Sequence, residues 1–204
     1  MTYHTSVLLE ESVDLLNITE NSVYVDATFG GGGHSKEILS RMKNGRLIAI
    51  DQDEDAHKNA LDDDRFELLR GNFRFIKNYL RLADALPVDG ILGDFGLSSH
   101  QIDVAERGFS FSKDAELDMR MNRNAKRSAK DILNDAEVEE LTRIFKEYGE
   151  IHNAHRLAFS IVKSREQQSI SKTGDLQKIA GKFARPGKEN KFLAQVFQAL
   201  RIEV

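Results

Sequence analysis

The first half of the chain alternates short apolar runs with segments of helical spacing. Helix-like periodicity occupies residues 34–42 and 53–61, after the first two apolar runs. The apolar runs are SVYVD at 22–26, RLIAID at 46–51, FELLRG at 66–71 and VDGILGD at 88–94. Strand-like runs that alternate with helices are typical of a parallel sheet, so the pattern predicts an α/β fold.

The pattern changes after Phe111, where apolar residues recur three and four positions apart between polar loops. The clearest helical segments are residues 135–149, 153–164 and 173–183. Asp135 is the candidate N-cap of the first segment and Thr173 that of the third. We therefore predict an α/β domain over residues 1–114 and a helical lobe over residues 115–200.

The composition is that of a globular protein and excludes several classes. With 204 residues, 40% of them hydrophobic, the chain can bury one core, or one core and a smaller lobe. The absence of cysteine excludes disulfides, thiolate metal sites and a cysteine nucleophile, and it fits a reducing cytoplasm. No apolar run reaches membrane-spanning length and the N-terminus does not resemble a signal peptide, so we predict a cytoplasmic protein without membrane contact.

The net charge of -4 does not indicate nucleic-acid binding by the whole chain, but two local stretches are basic. Residues 120–130 hold five basic side chains and no acid, and residues 182–191 hold four against Glu189. On charge alone, a solvated surface explains such stretches better than RNA does. His152 and His155 lie one helical turn apart, but without further ligands at suitable spacing they are ordinary polar helix positions, and no metal site is predicted.

Four consecutive glycines separate the first predicted strand from the helix after it, in the stretch YVDATFGGGGHS at 24–35. A strand that ends in Asp26, a glycine turn and a helix form the first unit of a nucleotide-binding α/β fold, where a ligand approaches the backbone closely. His34 and Ser35 follow the last glycine where a triphosphate-binding loop needs lysine, so that loop is unsuitable here. Taken alone, the glycines also fit a flexible surface loop.

The second predicted strand ends in Asp51, 25 residues beyond Asp26. A carboxylate at this strand end accepts hydrogen bonds from the hydroxyl groups of a ribose in dinucleotide enzymes. Alone, Asp51 fits an exposed helix cap equally well, but beside a glycine turn it favours a cofactor that contains ribose. A nicotinamide cofactor and S-adenosylmethionine both satisfy this pattern.

Two further strand ends carry residues that suit a ligand. Phe73 follows the third strand, where an aromatic ring can contact a base, although a lone Phe is equally often a core residue. Asp94 ends the fourth strand and precedes a turn of small and polar residues. Ligands bind outside the carboxyl ends of strands in open parallel sheets, so these two residues are predicted to share one crevice with Asp26 and Asp51.

Seven motifs along the chain together carry a resemblance to a known family. They are HTSVLLEESVDLL at 4–16, YVDATFGGGGHS at 24–35, AIDQD at 49–53, DGILGDFGLSSHQID at 89–103, ERGFSF at 106–111, LDMRM at 117–121 and VFQALRI at 196–202. The chain resembles the bacterial 16S ribosomal RNA cytosine-N4 methyltransferases over nearly its whole length. The run from ERGFSF to LDMRM is the most specific of these motifs.

The resemblance implies a class I S-adenosylmethionine-dependent methyltransferase, an α/β protein with a Rossmann-like parallel sheet and an inserted helical lobe that helps to hold RNA. With this resemblance, we expect the basic stretch 120–130 of that lobe to face ribosomal RNA or the assembling small subunit. It implies methyl transfer from S-adenosylmethionine to the N4 amine of a cytidine in 16S ribosomal RNA, with the small ribosomal subunit as partner. It assigns the cofactor contacts to Gly32, Gly33, His34, Asp51, Phe73, Asp94 and Gln101. The catalytic residue stays unassigned.

The chain departs from the family pattern at several positions. GDFGLSSHQ at 93–101 stands where the family usually has LDLGVSSPQ, so Gly93, Phe95 and His100 are expected to change the packing near Asp94. DAELDMRM at 114–121 stands in place of DGPLDMRM. KFLAQVFQALRI at 191–202 replaces HPATRVFQALRI, which removes an arginine suited to phosphate.

The family pattern continues with further strands beyond Val204, where this chain stops. We therefore expect the fourth strand to offer a free edge, and the 204-residue chain alone to self-associate, to bind S-adenosylmethionine weakly and to transfer no methyl group. Two other functions stay open at this point. One is a non-catalytic RNA-binding or scaffold protein derived from the methyltransferase, and the other is a nicotinamide-dependent oxidoreductase, which GGGGHS fits poorly.

Overall fold

The structure is a computed structural model that describes residues 6–204, apart from the side chain of Ser99. Residues 1–5, with the first two positions of the HTSVLLEESVDLL motif, lie outside the described residues. The chain divides into two units, one formed by the residues up to Ser98 with Met121–Arg123 and the other by Ser99–Arg120 with Asn124–Val204. The main division thus falls earlier than the predicted boundary between residues 114 and 115.

The first unit alternates strands and helices, and all four predicted strands are present. Its elements in chain order are α1 (Leu9–Leu15), β1 (Val23–Asp26), α2 (Gly33–Arg41), β2 (Arg46–Asp51), β3 (Phe66–Arg70), α3 (Ile76–Leu82) and β4 (Gly90–Leu92). Two short 3-10 helices, Ala56–Asn59 and Phe73–Phe75, follow β2 and β3.

The four strands form one parallel sheet in the order β3-β2-β1-β4, which confirms the predicted α/β fold. The register places Asp26 beside Ala49 on one side and Leu92 on the other. It also places Asp51 beside Arg70. The carboxyl ends of all four strands therefore lie along one edge of the sheet, where the sequence analysis places the site.

Apolar side chains cover both faces of this sheet. On one face Tyr24 and Leu47 pack with Ile38 of α2, and on the other Ile48 packs with Leu80 of α3. Residues 47–50 of β2 are fully buried, at 0% exposure. Continuous burial of this kind is typical of a parallel strand that is covered on both faces.

The helix predicted over residues 53–61 is absent, and one 3-10 turn, Ala56–Asn59, takes its place. Two carboxylates account for the difference. An oxygen of Asp51 accepts a hydrogen bond from the Asp53 amide at 2.8 Å, and an oxygen of Asp53 accepts one from the Asp55 amide at 3.1 Å. Such side-chain bonds to nearby amides compete with regular helix formation.

The second unit is helical, as predicted. Its helices are α4 (Ser99–Asp103), α5 (Ala129–Asp135), α6 (Val138–Glu147), α7 (Ala154–Arg165), α8 (Thr173–Ala180) and α9 (Glu189–Glu203), with 3-10 helices at Ala105–Arg107 and Gly181–Phe183. Leu141 of α6, Leu157 of α7 and Phe197 of α9 are fully buried and belong to its core. No helix within residues 6–204 is long and apolar enough to cross a membrane.

Both N-caps predicted for this unit are wrong by one or two residues. Asp135 is the last residue of α5, and α6 starts after Glu137. Thr173 is the first helical residue of α8, where its hydroxyl donates to the carbonyl of Lys113 at 2.8 Å. Thr173 therefore holds a neighbouring segment instead of capping its own helix.

The specific run from ERGFSF to LDMRM forms part of the interior of the helical unit. Arg107 is 2% exposed, and its guanidinium donates to the carbonyl of Arg120 at 3.0 Å. The Met119 amide donates to the carbonyl of Arg107 at 3.0 Å, and Phe109 and Leu117 are buried beside them. The most specific motif of the sequence thus has a structural role within this unit.

Candidate cofactor site

The strand order places a topological switch between β1 and β4. From β1 the chain moves outward through β2 to β3 and then returns to the other side of β1 as β4. In open parallel sheets, ligands bind outside the carboxyl ends of the strands at such a switch. The residues after β1, β2 and β4 are therefore the candidates for a site within the first unit.

Asp26 ends β1 but is an internal residue, with 0% exposure. One oxygen of its carboxylate accepts a hydrogen bond from the Ser35 hydroxyl at 2.7 Å, and the other accepts one from the Thr28 amide at 3.1 Å. Burial raises the pKa of this carboxyl. Asp26 therefore connects the glycine turn to α2, and its predicted place in the ligand crevice is wrong.

The glycine turn depends on its own neighbours for its shape. Gly32 has φ of +77°, and a Cβ there would lie 2.9 Å from the ring of Phe29. A Cβ on Gly33 would lie 2.1 Å from the hydroxyl oxygen of Ser6. At Gly30, with φ of +52°, the nearest atom to a Cβ would be 3.9 Å away, so there is open space beside this residue.

Asp51 at the end of β2 holds this turn in place. One oxygen of its carboxylate accepts a hydrogen bond from the Gly30 amide at 2.8 Å, and the other accepts one from the Asp53 amide, also at 2.8 Å. Burial raises the pKa of the Asp51 carboxyl. Each carboxylate oxygen can accept more than one hydrogen bond, so the group fits the hydroxyl pair of a ribose beside an open turn.

His34 lies at the start of α2 and is 6% exposed. Its Nε2 atom donates to the carbonyl of Val7 at 3.3 Å. The imidazole therefore contacts the segment before α1 within the first unit. A cofactor contact at His34 stays a prediction, and it fits the backbone at the N-terminal end of the helix better than the ring.

Phe73 begins the 3-10 helix after β3, and Asp94 lies on the loop after β4, so both follow strand ends at the carboxyl edge of the sheet. Phe73 is 40% exposed, and its ring centroid lies 5.2 Å from that of Phe95. The Asp94 amide donates to the hydroxyl of Thr28 at 2.7 Å, and the Asp94 residue is exposed. Among the described residues the Asp94 carboxylate has no hydrogen-bond partner, so it is available to a ligand.

The predicted site residues divide between the two units. Gly32, Gly33, His34, Asp51, Phe73 and Asp94 belong to the first unit. Gln101 belongs to the second, on α4, and is 6% exposed. From the sequence, Phe95 is expected only to change the packing near Asp94, and Gly30 is not distinguished from the other glycines of the turn.

The two basic stretches differ in their surroundings. In the stretch 120–130, Arg120 pairs with Asp118 at 2.7 Å, Arg127 with Glu140 at 2.8 Å and Arg123 with Asp55 at 3.9 Å. The four cations of the stretch 182–191 are exposed, and none has an ion pair among residues 6–204; they are Lys182, Arg185, Lys188 and Lys191. The second stretch is therefore the stronger candidate for a polyanion surface.

In the described part of the chain, no three or more histidine, aspartate or glutamate residues are placed so that they could hold a metal ion. The site of the first unit consists instead of a glycine turn, a carboxylate at the end of β2 and aromatic and acidic residues after β3 and β4. Together with the strand order, these features are those that suit a ribose-containing cofactor at the carboxyl edge of a parallel sheet.

The family follows from the sequence. The pattern of the MraW methylase family matches residues 1–204, so the chain belongs to that family. This agrees with the predicted methyltransferase class and fold.

Several similar proteins carry the name ribosomal RNA small subunit methyltransferase H. The one from Flavobacterium johnsoniae is 53% identical over 205 residues, which cover 100% of this chain and 68% of the relative. The one from Cytophaga hutchinsonii is 53% identical, with 99% and 68% covered, and the one from Bacteroides thetaiotaomicron is 53% identical, with 100% and 67% covered. The chain thus spans about two thirds of the length of these relatives.

Proposed function

We propose that the protein is a methyltransferase that uses S-adenosylmethionine to methylate the 16S RNA of the small ribosomal subunit. The observation that carries this proposal is the identity of 53% to a ribosomal RNA small subunit methyltransferase H across the whole chain. The site of the first unit supports it, because its glycine turn and Asp51 carboxylate suit a nucleoside. Such a substrate would place the protein in the cytoplasm.

The residues of the first unit would hold the cofactor through its nucleoside. The Asp51 carboxylate, which already accepts the Gly30 amide at 2.8 Å, would accept the ribose hydroxyls. The open space beside Gly30 would admit the ligand to the backbone, and Phe73 would contact the base. S-adenosylmethionine supplies an activated methyl group on a sulfonium, and the protein contributes position and the exclusion of water.

The resemblance of the motifs points to the N4 amine of a cytidine as the methyl acceptor. This nitrogen is a weak nucleophile because its lone pair is delocalised into the ring, so a nearby hydrogen-bond acceptor would help to orient it. The exposed Asp94 carboxylate at the end of β4 is suited to accept a hydrogen bond from such an amine. We propose this role for Asp94.

The helical unit would contribute RNA contacts through the stretch 182–191. Its four exposed cations, without ion pairs among the described residues, can neutralise phosphates without first losing a protein carboxylate. The arginines of the stretch 120–130 already pair with acids. We therefore propose the stretch 182–191 as the RNA surface, in place of the stretch 120–130 that is expected from the sequence.

Calorimetry tests the cofactor class. Because the chain spans about two thirds of its relatives' length, the measurements use the protein at the length that its native cells make. We expect binding of S-adenosylmethionine and no binding of NAD. Binding of NAD alone would favour an oxidoreductase, and S-adenosylmethionine binding without methyl transfer to small-subunit particles would favour a non-catalytic RNA-binding protein.

The Asp94→Asn variant tests the proposed role of Asp94. If the carboxylate orients the substrate amine, this variant should bind S-adenosylmethionine as the wild type does and transfer the methyl group more slowly. A parallel loss of cofactor binding would instead assign Asp94 to the cofactor. An unchanged transfer rate would remove Asp94 from both roles.

A further inference from the structure

Two segments that each carry a phenylalanine meet at the carboxyl edge of the sheet, although they follow the two outermost strands, β3 and β4. β3 and β4 are the outer strands, roughly 14 Å apart at about 4.8 Å for each strand spacing. The Asn72 side chain donates to the Gln52 side chain at 3.0 Å, which draws the first loop over β2. The Asp94 amide donates to the Thr28 hydroxyl at 2.7 Å, which draws the second loop over β1.

The rings of Phe73 and Phe95 pack against each other where these loops meet. Their centroids lie 5.2 Å apart and their planes are inclined by 56°. The contact leaves Phe73 40% exposed and Phe95 72% exposed. Two large apolar rings therefore remain accessible, and Asn72, the residue before Phe73, is hydrogen-bonded to Gln52, which follows Asp51.

Gly93 makes this position of Phe95 possible. A Cβ on Gly93 would lie 2.8 Å from the Cζ atom of the Phe95 ring, inside any ordinary contact distance. A leucine at 93 would exclude the ring from its present place. The position of the Phe95 ring therefore depends on the absence of a side chain at Gly93.

We propose that Phe95 is a cofactor-binding residue of this protein, whose ring contacts the nucleobase of S-adenosylmethionine together with Phe73. This inference rests on the proposed use of that cofactor. The Asp51 carboxylate would hold the ribose at the end of β2, and the two exposed rings after β3 and β4 would offer the base an apolar contact. Aromatic rings stack on bases of any kind, so the contact adds affinity for the nucleoside and no constraint on the methionine portion.

Calorimetry with S-adenosylmethionine and with adenosine tests the proposal. Phe95→Ala should weaken the binding of both ligands by about fivefold or more, because base stacking on an aromatic ring has that magnitude. Phe95→Tyr keeps the ring and should bind as the wild type does. Phe159→Ala, which removes a similarly exposed Phe from α7, is the matched control and should change neither affinity.

The coupling to Gly93 gives a second test. Gly93→Leu should displace the Phe95 ring and weaken adenosine binding by the same factor as Phe95→Ala. In the Phe95→Ala background, Gly93→Leu should cause no further loss, because interacting residues are not additive. If the losses of adenosine affinity caused by Gly93→Leu and Phe95→Ala add in the double variant, the two residues are not coupled.

The possible results distinguish a failure of the role inferred for Phe95 from a failure of the proposed use of S-adenosylmethionine. If the wild type binds S-adenosylmethionine and Phe95→Ala binds it equally well, the inference is overturned and the cofactor proposal stands. A loss for S-adenosylmethionine without a loss for adenosine also overturns it, since Phe95 would then contact the methionine portion. If the wild type binds neither ligand, the cofactor proposal fails and the inference fails with it.

Discussion

Single residues of the glycine turn and of β2 decide whether the first unit can hold a nucleoside. Asp51 has two tasks there, since its carboxylate holds the Gly30 amide at 2.8 Å and is also the proposed acceptor for ribose. Gly32 is required by its φ of +77° and by the ring of Phe29. Gly30 has open space, so we expect a ligand to approach the backbone there, while the cofactor contacts at Gly32 and Gly33 stay predictions.

Asp51→Ala should weaken adenosine and S-adenosylmethionine binding about tenfold or more, because hydrogen bonds to a charged acceptor contribute roughly 1.5–3 kcal/mol. Asp51→Asn keeps one oxygen for the turn and should lose less. Calorimetry measures both, with circular dichroism as the control for folding. Unchanged affinity in a folded Asp51→Ala protein would remove Asp51 from the site.

The raised pKa of Asp51 predicts the pH dependence of cofactor binding. As the pH falls through this raised pKa, the carboxyl takes up a proton and loses part of its acceptor capacity, so adenosine binding should weaken at a higher pH than for an ordinary aspartate. The folded state binds this proton more readily than the unfolded state, so the protonation of Asp51 itself stabilises the fold. Binding should therefore decline before acid unfolding, and Asp51→Asn should not show this decline; a decline of equal size in Asp51→Asn would contradict the assignment.

The variants Gly30→Ala and Gly32→Val distinguish two roles of the glycine turn. One is to leave space for a ligand, and the other is to pack against Phe29. Gly30→Ala places a methyl group in open space and should abolish cofactor binding, while its positive φ costs about 1 kcal/mol of stability. Gly32→Val collides with Phe29 and should lower the melting temperature clearly further. Thermal unfolding and calorimetry distinguish the two, and normal cofactor binding by Gly30→Ala would show that the ligand does not reach the turn.

At the scale of elements, the sequence predicts regular strands and helices well and their ends less well. All four strands follow from runs of β-branched and aliphatic residues, and α2 begins within one residue of the predicted start. The predicted helix over 53–61 fails because aspartate side chains bond nearby amides, a local competition that apolar periodicity does not detect. The N-caps predicted at Asp135 and Thr173 are wrong because any capping-type polar residue near a helix start looks like an N-cap in the sequence.

The capping box of α5 is a local feature that an element-scale measurement can test. The Ser128 hydroxyl accepts the Asp131 amide at 3.3 Å, and the Asp131 carboxylate accepts the Ser128 amide at 2.8 Å. Ser128→Ala should lower the free energy of unfolding by about 1 kcal/mol. Ser160→Ala on α7 is the control with little expected effect, and denaturant unfolding compares the two; equal stabilities would show that the box contributes nothing.

For the chain as a whole, the family resemblance implies properties that local sequence patterns do not indicate. Periodicity and strand ends indicate a nucleotide-binding α/β unit, but the cofactor class and the RNA substrate came from the motifs. The side-chain pairing of the basic residues was not predictable, because the partners of Arg123 and Arg127 are distant in sequence. The cofactor contacts and the self-association stay predictions.

Charge reversal in the two basic stretches tests which one contacts RNA. Lys188→Glu with Lys191→Glu should weaken binding to small-subunit RNA and reduce its salt dependence, by about 0.7–0.9 in the logarithmic slope for each lost phosphate contact. Arg123→Glu with Arg127→Glu is the matched control and should change the slope little. If Arg123→Glu with Arg127→Glu is the only pair that reduces the salt dependence of RNA binding, the RNA surface lies on residues 120–130.

Methyl transfer to 16S RNA is the direct test of the proposed function. The protein, at the length that its native cells make, is incubated with methyl-labelled S-adenosylmethionine and small ribosomal subunits whose 16S RNA lacks the modification, and the label is located by nuclease digestion and mass spectrometry. We predict that the label appears on the N4 amine of one cytidine in 16S RNA. Absence of label from 16S RNA, from a protein that demonstrably binds S-adenosylmethionine, would contradict the account.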